Sequence, residues 1–296
     1  MSLTINHNMM AANTARNLAT SYSKLATSTR RLSSGLRINN AADDAAGLAV
    51  REIMRAEIKS LDQGIRNAND AISMIQTADG ALGVIDEKLI RMKELAMQAS
   101  TGTYSSDQRL IIDSEYQAMA SEITRIANST DFNGIHLLNG NLSGATHSGA
   151  GLVSTGKMKV HFGTGNDSAE DYYYVTINSS TASALGVGLA AASTNGKSIS
   201  TQALAQQALD SLNKAIISKD KIRANLGAMQ NRLQNTITNL SVQAENTQAA
   251  ESNISDVDVA TEMTEFTRQQ ILTQSAVAML SQANGLGKLA MQLIGG

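Results

Sequence analysis

Apolar and small residues recur along this chain at alternating steps of three and four. Near the N-terminus they fall at Ala11, Ala15, Leu18, Tyr22, Leu25, Thr29, Leu32 and Leu36. Such spacing predicts a helix whose seam lies against another helix. A longer series runs from Ile58 through Leu61, Ile65, Ala68, Ile72, Ile75, Ala78, Leu82, Ile85, Leu89, Met92 and Ala96 to Ala99. Two successive steps of three around Ile75, near Gly80 and Gly83, break its strict heptad. Helical throughout, this segment would be about 63 Å long, which predicts a rod.

The next helix begins at a capping box, Ser105 with Gln108, after the Thr101-Gly102-Thr103 loop. Ile112, Tyr116, Met119, Ile123 and Ile126 continue it, and Asn128 to Gly134 ends it. It therefore folds back on its predecessor as an αα-hairpin. From about 139 to 201 the helical period vanishes and Gly, Ser, Thr, Asn and Ala dominate. Met158, Val160 and Phe162 alternate with Lys159 and His161, Gly163–Asp167 makes a turn, and Tyr172–Asn178 is a second β-rich run. These predict a β-hairpin on a loopy insert. The period returns at Leu212, Ile216, Ile222, Leu226, Met229, Leu233, Ile237, Leu240 and Ala244, with Lys219 as an exception. A last seam holds Leu272, Ala276, Met279, Ala283, Leu286, Ala290 and Leu293, with Leu280 beside it.

Two stretches join these seams without sharing their pattern. Leu32–Leu48 contains Gly35, Gly47, the pair Asn39-Asn40 and the pair Asp43-Asp44. Gly and Asn relax the backbone where a helix stops, and Asp caps the next one. Residues 254–260, with Asp256 and Asp258, form the counterpart near the C-terminus. The order is thus terminal helix, joint, long helices, insert, long helix, joint, terminal helix. Both termini must come together, or each leaves an apolar stripe in water.

Charge sharpens that expectation. Residues 1–42 carry Arg16, Lys24, Arg30, Arg31 and Arg37 and no acid; residues 245–265 carry six acids and no base. Ends of opposite sign with apolar seams are natural partners, within a chain or between chains. Five spaced cations are too sparse for a nucleic-acid footprint. No run of 18 apolar residues could span a membrane, and the N-terminus lacks the pattern of a cleaved secretory signal. Over 296 residues there is no Pro and no Cys, which excludes disulfides and thiolate metal sites and removes slow X-Pro isomerisation.

Candidate chemistry is sparse. His7, His136, His147 and His161 lie in unlike segments, and none has the spacing of a zinc-protease helix. Asp43-Asp44 reads as a cap, since adjacent helical residues do not face each other. Gly186–Ala191 resembles a dinucleotide loop only superficially, with no βαβ unit around it. Neither an enzyme nor a cofactor is expected. Met54, Met92, Met119, Met229 and Met279 read as packing residues.

Leu32–Leu48 resembles the signature of bacterial flagellins almost letter for letter. Arg66–Ile75, Leu89–Gln98, Phe132–Leu138 and Glu245–Ala283 are also similar to that family, colinearly and over about two thirds of the chain. The resemblance implies a mainly α fold, a long-helix coiled-coil rod with a small β-hairpin-containing insert. Residues 1–43 and 255–296 would form an inner coiled-coil domain and 44–254 the rod, with the variable insert at about 139–201. It implies a structural subunit of the flagellar filament, exported unfolded without a cleaved signal and assembled outside the cell. Implied partners are further copies of itself, the filament cap, hook-associated junction proteins, the export apparatus and a secretion chaperone. Arg91, Leu95, Gln98 and Glu115 match filament-contact positions that vertebrate Toll-like receptors also grip in shed monomers. Leu18, Leu25, Leu32, Leu272, Ala276, Leu280 and Leu293 match the terminal seam, and Gly35, Asn39, Asp43, Asp44, Asp256 and Asp258 the joints. Asn253 departs from the Arg common in the family. Free subunits are expected to have disordered ends that order on assembly. A hook–filament junction protein, or a non-flagellar coiled-coil adaptor or adhesin, is the alternative.

Overall fold

A computed structural model describes residues 7–144, 156–168, 170–188 and 197–294, with side chains up to residue 285. The elements are α1 (Met9–Ser34), α2 (Ala45–Ser100), α3 (Ser106–Ser129), β1 (Asp131–Phe132), β2 (Ile135–His136), β3 (Met158–His161), β4 (Tyr172–Val175), α4 (Ala182–Leu185), α5 (Gln202–Ser255) and α6 (Val259–Ile294). The fold is mainly α, with long helices packed in pairs and two-stranded sheets between α3 and α5. Contacts divide the chain into two compact units, Met1–Ile58 with Glu245–Gly296, and Lys59–Ala244.

The larger unit holds the main core, built on one face of α2. Its buried rungs are Leu61, Gly64, Ala68, Ala71, Ile75, Ala78, Leu82, Ile85, Leu89, Met92, Ala96 and Ala99. Those steps alternate three and four without interruption. The expected heptad break around Ile75 is therefore absent. It came from taking Ile65 and Ile72 as rungs, where the closest packing belongs to the smaller Gly64 and Ala71. A side chain at Gly64 would collide with the backbone carbonyl of Phe162, so glycine there lets the β3–β4 hairpin lie directly on α2.

That hairpin pairs Met158 with Val175 and His161 with Tyr172. Val160, Phe162 and Val175 are buried against the core. Asn67 Nδ2 donates to the His161 carbonyl at 2.8 Å, and the Arg232 guanidinium lies 3.6 Å from the Tyr173 ring centroid. The capping box of α3 is formed in both directions, Gln108 N–H to Ser105 Oγ and Ser105 N–H to Gln108 Oε1. Arg109 caps the end of α2 through the Ala99 and Thr101 carbonyls at 3.0 and 2.8 Å. The stretch after α3, expected only to end that helix, is a hairpin. Asn133 (φ 52°) and Gly134 (φ 79°) turn β1 into β2 as a two-residue hairpin. Of the dinucleotide-like stretch, residues 189–191 lie outside the described residues; Gly188 packs against Ala120, where a Cβ would collide.

The smaller unit contains α1, both joints and α6. The two helices pack together over their length. Asn8 Nδ2 donates to the Ala283 carbonyl at 2.9 Å, and Arg31 reaches Glu262 at 3.5 Å. Those contacts fix an antiparallel pair. They also place the basic and acidic ends against each other inside one chain, so each terminal helix already has a partner.

Candidate assembly interface

The joints position everything in the smaller unit. Gly35 ends α1 in the left-handed region, φ 74°, with its N–H on the Arg31 carbonyl at 2.8 Å. The chain then pairs with the other joint. Arg37 N–H donates to the Ser255 carbonyl at 2.7 Å, and Val257 N–H to the Gly35 carbonyl at 3.0 Å, around an antiparallel bridge of Leu36 with Asp256. The Arg37 guanidinium adds a 2.7 Å bond to the Ile254 carbonyl. Ser252 Oγ donates to Asp256 at 2.6 Å.

The acids act as caps. Asp43 accepts from the N–H groups of Asn39 and Asn40, both at 3.1 Å, while Asn39 Nδ2 donates to Ser34 Oγ at 2.8 Å. Desolvation works against its ionisation, but those two N–H groups with Arg30 and Arg31 outweigh it and hold the carboxyl below its ordinary value. Asp44 caps the start of α2 through Gly47 N–H at 2.9 Å. Asp258 caps α6 through the Thr261 hydroxyl at 2.8 Å and the N–H groups of Ala260 and Thr261. The same bonds, the hydroxyl first, lower its pKa. Arg51, which the sequence reading missed, is buried and donates to the Ile38 carbonyl at 2.7 Å. Only its register behind a joint could have signalled it.

The α1–α6 seam differs from the expected one in phase. Leu18, Leu25 and Leu32 are half-buried on the face toward α6, but the rungs between them are Ser21 and Ser28; Tyr22 is 53% exposed. On α6 the inward face carries Gln269, Thr273, Ala276, Leu280 and Ala283. Leu272 is turned outward, 47% exposed, because its neighbour Thr273 takes the inward position. Leu293 lies outside the described side chains. Val259, Met263, Ile271, Val277 and Met279 are exposed as well. By helical angle these residues lie on both flanks and on the back of α6.

In the larger unit, Arg91 Nη2 and Nε donate to Glu115 at 2.8 and 3.0 Å, and Nη1 to Glu94 at 3.0 Å. The Glu115 bonds come first among the causes that raise the Arg91 pKa. Gln98 is exposed and donates to the Tyr104 hydroxyl at 3.1 Å. Ile90 and Met97 line one shallow depression with Gln98 and Glu94, beside the Arg91–Glu115 pair, and are themselves exposed. Leu95 departs from the expectation of a surface contact. It is 2% exposed and belongs to the core, since it follows Glu94 around the helix to the buried side.

Among the described residues no group of His, Asp or Glu is placed to hold a metal ion, and no helix is long and apolar enough to cross a membrane. Asp43 and Asp44 are occupied as caps. Paired long helices that leave large apolar side chains exposed point to a structural protein with association surfaces. The comparisons narrow that class. The N-terminal helical region of bacterial flagellin matches residues 5–143, and the C-terminal helical region matches residues 207–294. Flagellin of Halalkalibacterium halodurans is 42% identical over 98% of this chain and 99% of its own. Flagellin FlaB2 of Treponema pallidum is 41% identical over the same shares, and flagellin of Bacillus subtilis is 40% identical, again over 98% and 99%. The crystal structure of Bacillus cereus flagellin covers 63% of this chain and 94% of that one at 29% identity, with a TM-score of 0.46. The chain belongs to the bacterial flagellins: it is a structural subunit of the flagellar filament that serves motility, and not an enzyme.

Proposed function

We propose that α6 is the element the filament is built around, with α1 beside it, and that residues 44–254 pack outside them. One observation carries this reading. Val259, Met263, Ile271, Leu272, Val277 and Met279 of α6 stay exposed on the sides that α1 does not cover. Large apolar residues left in water along one helix mark an association surface, and copies of the same chain supply its partner. The α1–α6 contact mixes half-buried Leu18, Leu25, Leu32 and Leu280 with Ser28, Gln269 and Thr273, so it leaves much of the apolar surface of α6 uncovered. Assembly supplies the burial.

The surface of Arg91, Gln98 and Glu115 forms a second contact between copies, with Leu95 supporting it from beneath. A Toll-like receptor that reads shed monomers would use this same face. The filament cap, the hook-associated junction proteins, the export apparatus and a chaperone on α6 complete the set of partners. Export unfolded to the cell exterior suits a chain with no Pro and no Cys, which folds without slow isomerisation and needs no oxidant.

The test is seeded growth followed by electron microscopy. Full-length protein mixed with filament fragments is expected to give open helical polymers. Discrete particles that ignore the seeds would overturn the reading in favour of a junction protein or an adaptor.

A further inference from the structure

The α5 helix buries a row of residues spaced seven apart: Ala205, Leu212, Lys219, Leu226, Leu233 and Leu240. Lys219 is the one charged member, and its side chain is 2% exposed. Its ammonium reaches Asp86 on α2 at 2.5 Å and Asp220 on its own helix at 2.8 Å. One turn further along, Arg223 pairs with Asp79 at 2.7 Å. The two pairs run in opposite chain directions, so α2 and α5 are antiparallel here.

The positions beside the α2 seam decide what these cations could meet. Ile65, Ile72, Asp79, Asp86 and Lys93 also stand seven apart. Because both helices repeat every seven residues, their apolar rungs fit nearly as well after a slip of one heptad. The charges do not. A slip one way puts Lys219 on Asp79 and Arg223 on Ile72. A slip the other way puts Arg223 on Asp86 and the buried Lys219 on half-buried Lys93, like charge on like charge. Asp220 travels with Lys219 and favours no register.

We propose that Lys219, with Asp86, Asp79 and Arg223, is a register lock that selects one of several apolar-compatible alignments when α2 and α5 zip together. A single charged residue at a seam position is known to specify register at a cost in stability, and Lys93 acts as the repulsive element against one slip. A heptad slip carries the two helices about 10 Å past each other.

The natural absence of Cys makes the register measurable in the full chain. Spin labels on Asp70→Cys and Asp210→Cys, both exposed, stand about 37 Å apart along the helix axes in the native register, and one slip changes that by about 10 Å. The parent, refolded from denaturant, is expected to show one distance. Lys219→Met is expected to keep or raise the thermal midpoint while adding a second distance population shifted by about 10 Å. Lys93→Asp, a change at a half-buried position that would give both cations an acid in the slipped register, is expected to add a population about 10 Å longer than the native one. A single native distance in both variants overturns the proposal. So does a Lys219→Met protein that loses thermal stability with its register intact, because the pair would then be only a structural contact.

Discussion

Replacing Ile271 separates the contact within the chain from the contacts between chains. This side chain is 58% exposed and lies on the back of α6, opposite the face toward α1. Full burial of an isoleucine is worth about 1.5–3 kcal/mol. The part still exposed therefore holds about 1–2 kcal/mol that only a neighbouring subunit can realise. Ile271→Ala forfeits it without harming helix propensity. The critical concentration for growth on seeds should rise about tenfold, since 1.4 kcal/mol is a factor of ten. Ile271→Asp also places a charge where water is excluded, which costs several kcal/mol more, so growth should fail at concentrations about a hundredfold above the parental threshold. Unassembled protein should unfold within about 0.5 kcal/mol of the parent, as for surface substitutions generally. Sedimentation after seeding gives the threshold and calorimetry gives the control. An unchanged threshold for both variants would mean that the back of α6 is not buried in the filament.

Gly64→Ala gains helix propensity but drives a methyl group into the Phe162 carbonyl; a cost of about 1–3 kcal/mol should lower the melting temperature by several degrees and speed amide exchange in β3 and β4, and slow exchange there would refute the packing account. Arg91→Ala removes only exposed ion pairs, so the monomer should melt almost as before while seeded growth weakens; unaltered growth would remove this surface from the filament contacts. Asp43 and Asp258 have folded pKa values below the ordinary 3.8. Their capping contribution is therefore present above pH 3.8 and lost as pH falls through the lower folded values. Titration followed by nuclear magnetic resonance at Asn39, Asn40, Ala260 and Thr261 should show their N–H signals moving only below that point, and a transition at or above 3.8 would contradict the caps.

Much of the fold is legible in the sequence because helices are local. The four-and-three spacing announces every long helix, and the Ser105–Gln108 capping box marks its element to the residue. Phase is harder to read, because it depends on what packs opposite. Ile65 looks like a better rung than Gly64, yet the hairpin that lies on α2 at Phe162 needs the glycine, and Ala71 is buried more fully than Ile72. Tyr22 and Leu272 look like seam residues for the same reason, and the chain gives those places to Ser21 and Thr273. The joints are recognisable from Gly, Asn and Asp. Their pairing is not, since it runs through backbone atoms of residues more than two hundred positions apart. Leu95 matches a surface motif by letter, and only the packed helix reveals that it points inward.

The mixed lining between α1 and α6 follows from what the pair has to do. If every large apolar residue of both helices were buried within the chain, the free subunit would satisfy itself and gain little by joining others. Ser28, Gln269 and Thr273 interrupt the leucines of the inner contact, and Ile271, Leu272 and Met279 are left outside. The hydrogen bonds of Asn8 to Ala283 and the ion pair of Arg31 with Glu262 align the two helices. Directional polar contacts fix an alignment at modest net energy, and the apolar energy stays available for the polymer. A subunit arranged in this way is poor at closing on itself and good at adding to an existing end. Exchanging the two sets, with Gln269→Leu and Thr273→Val on the inside, should therefore stabilise the monomer while slowing its addition to seeds.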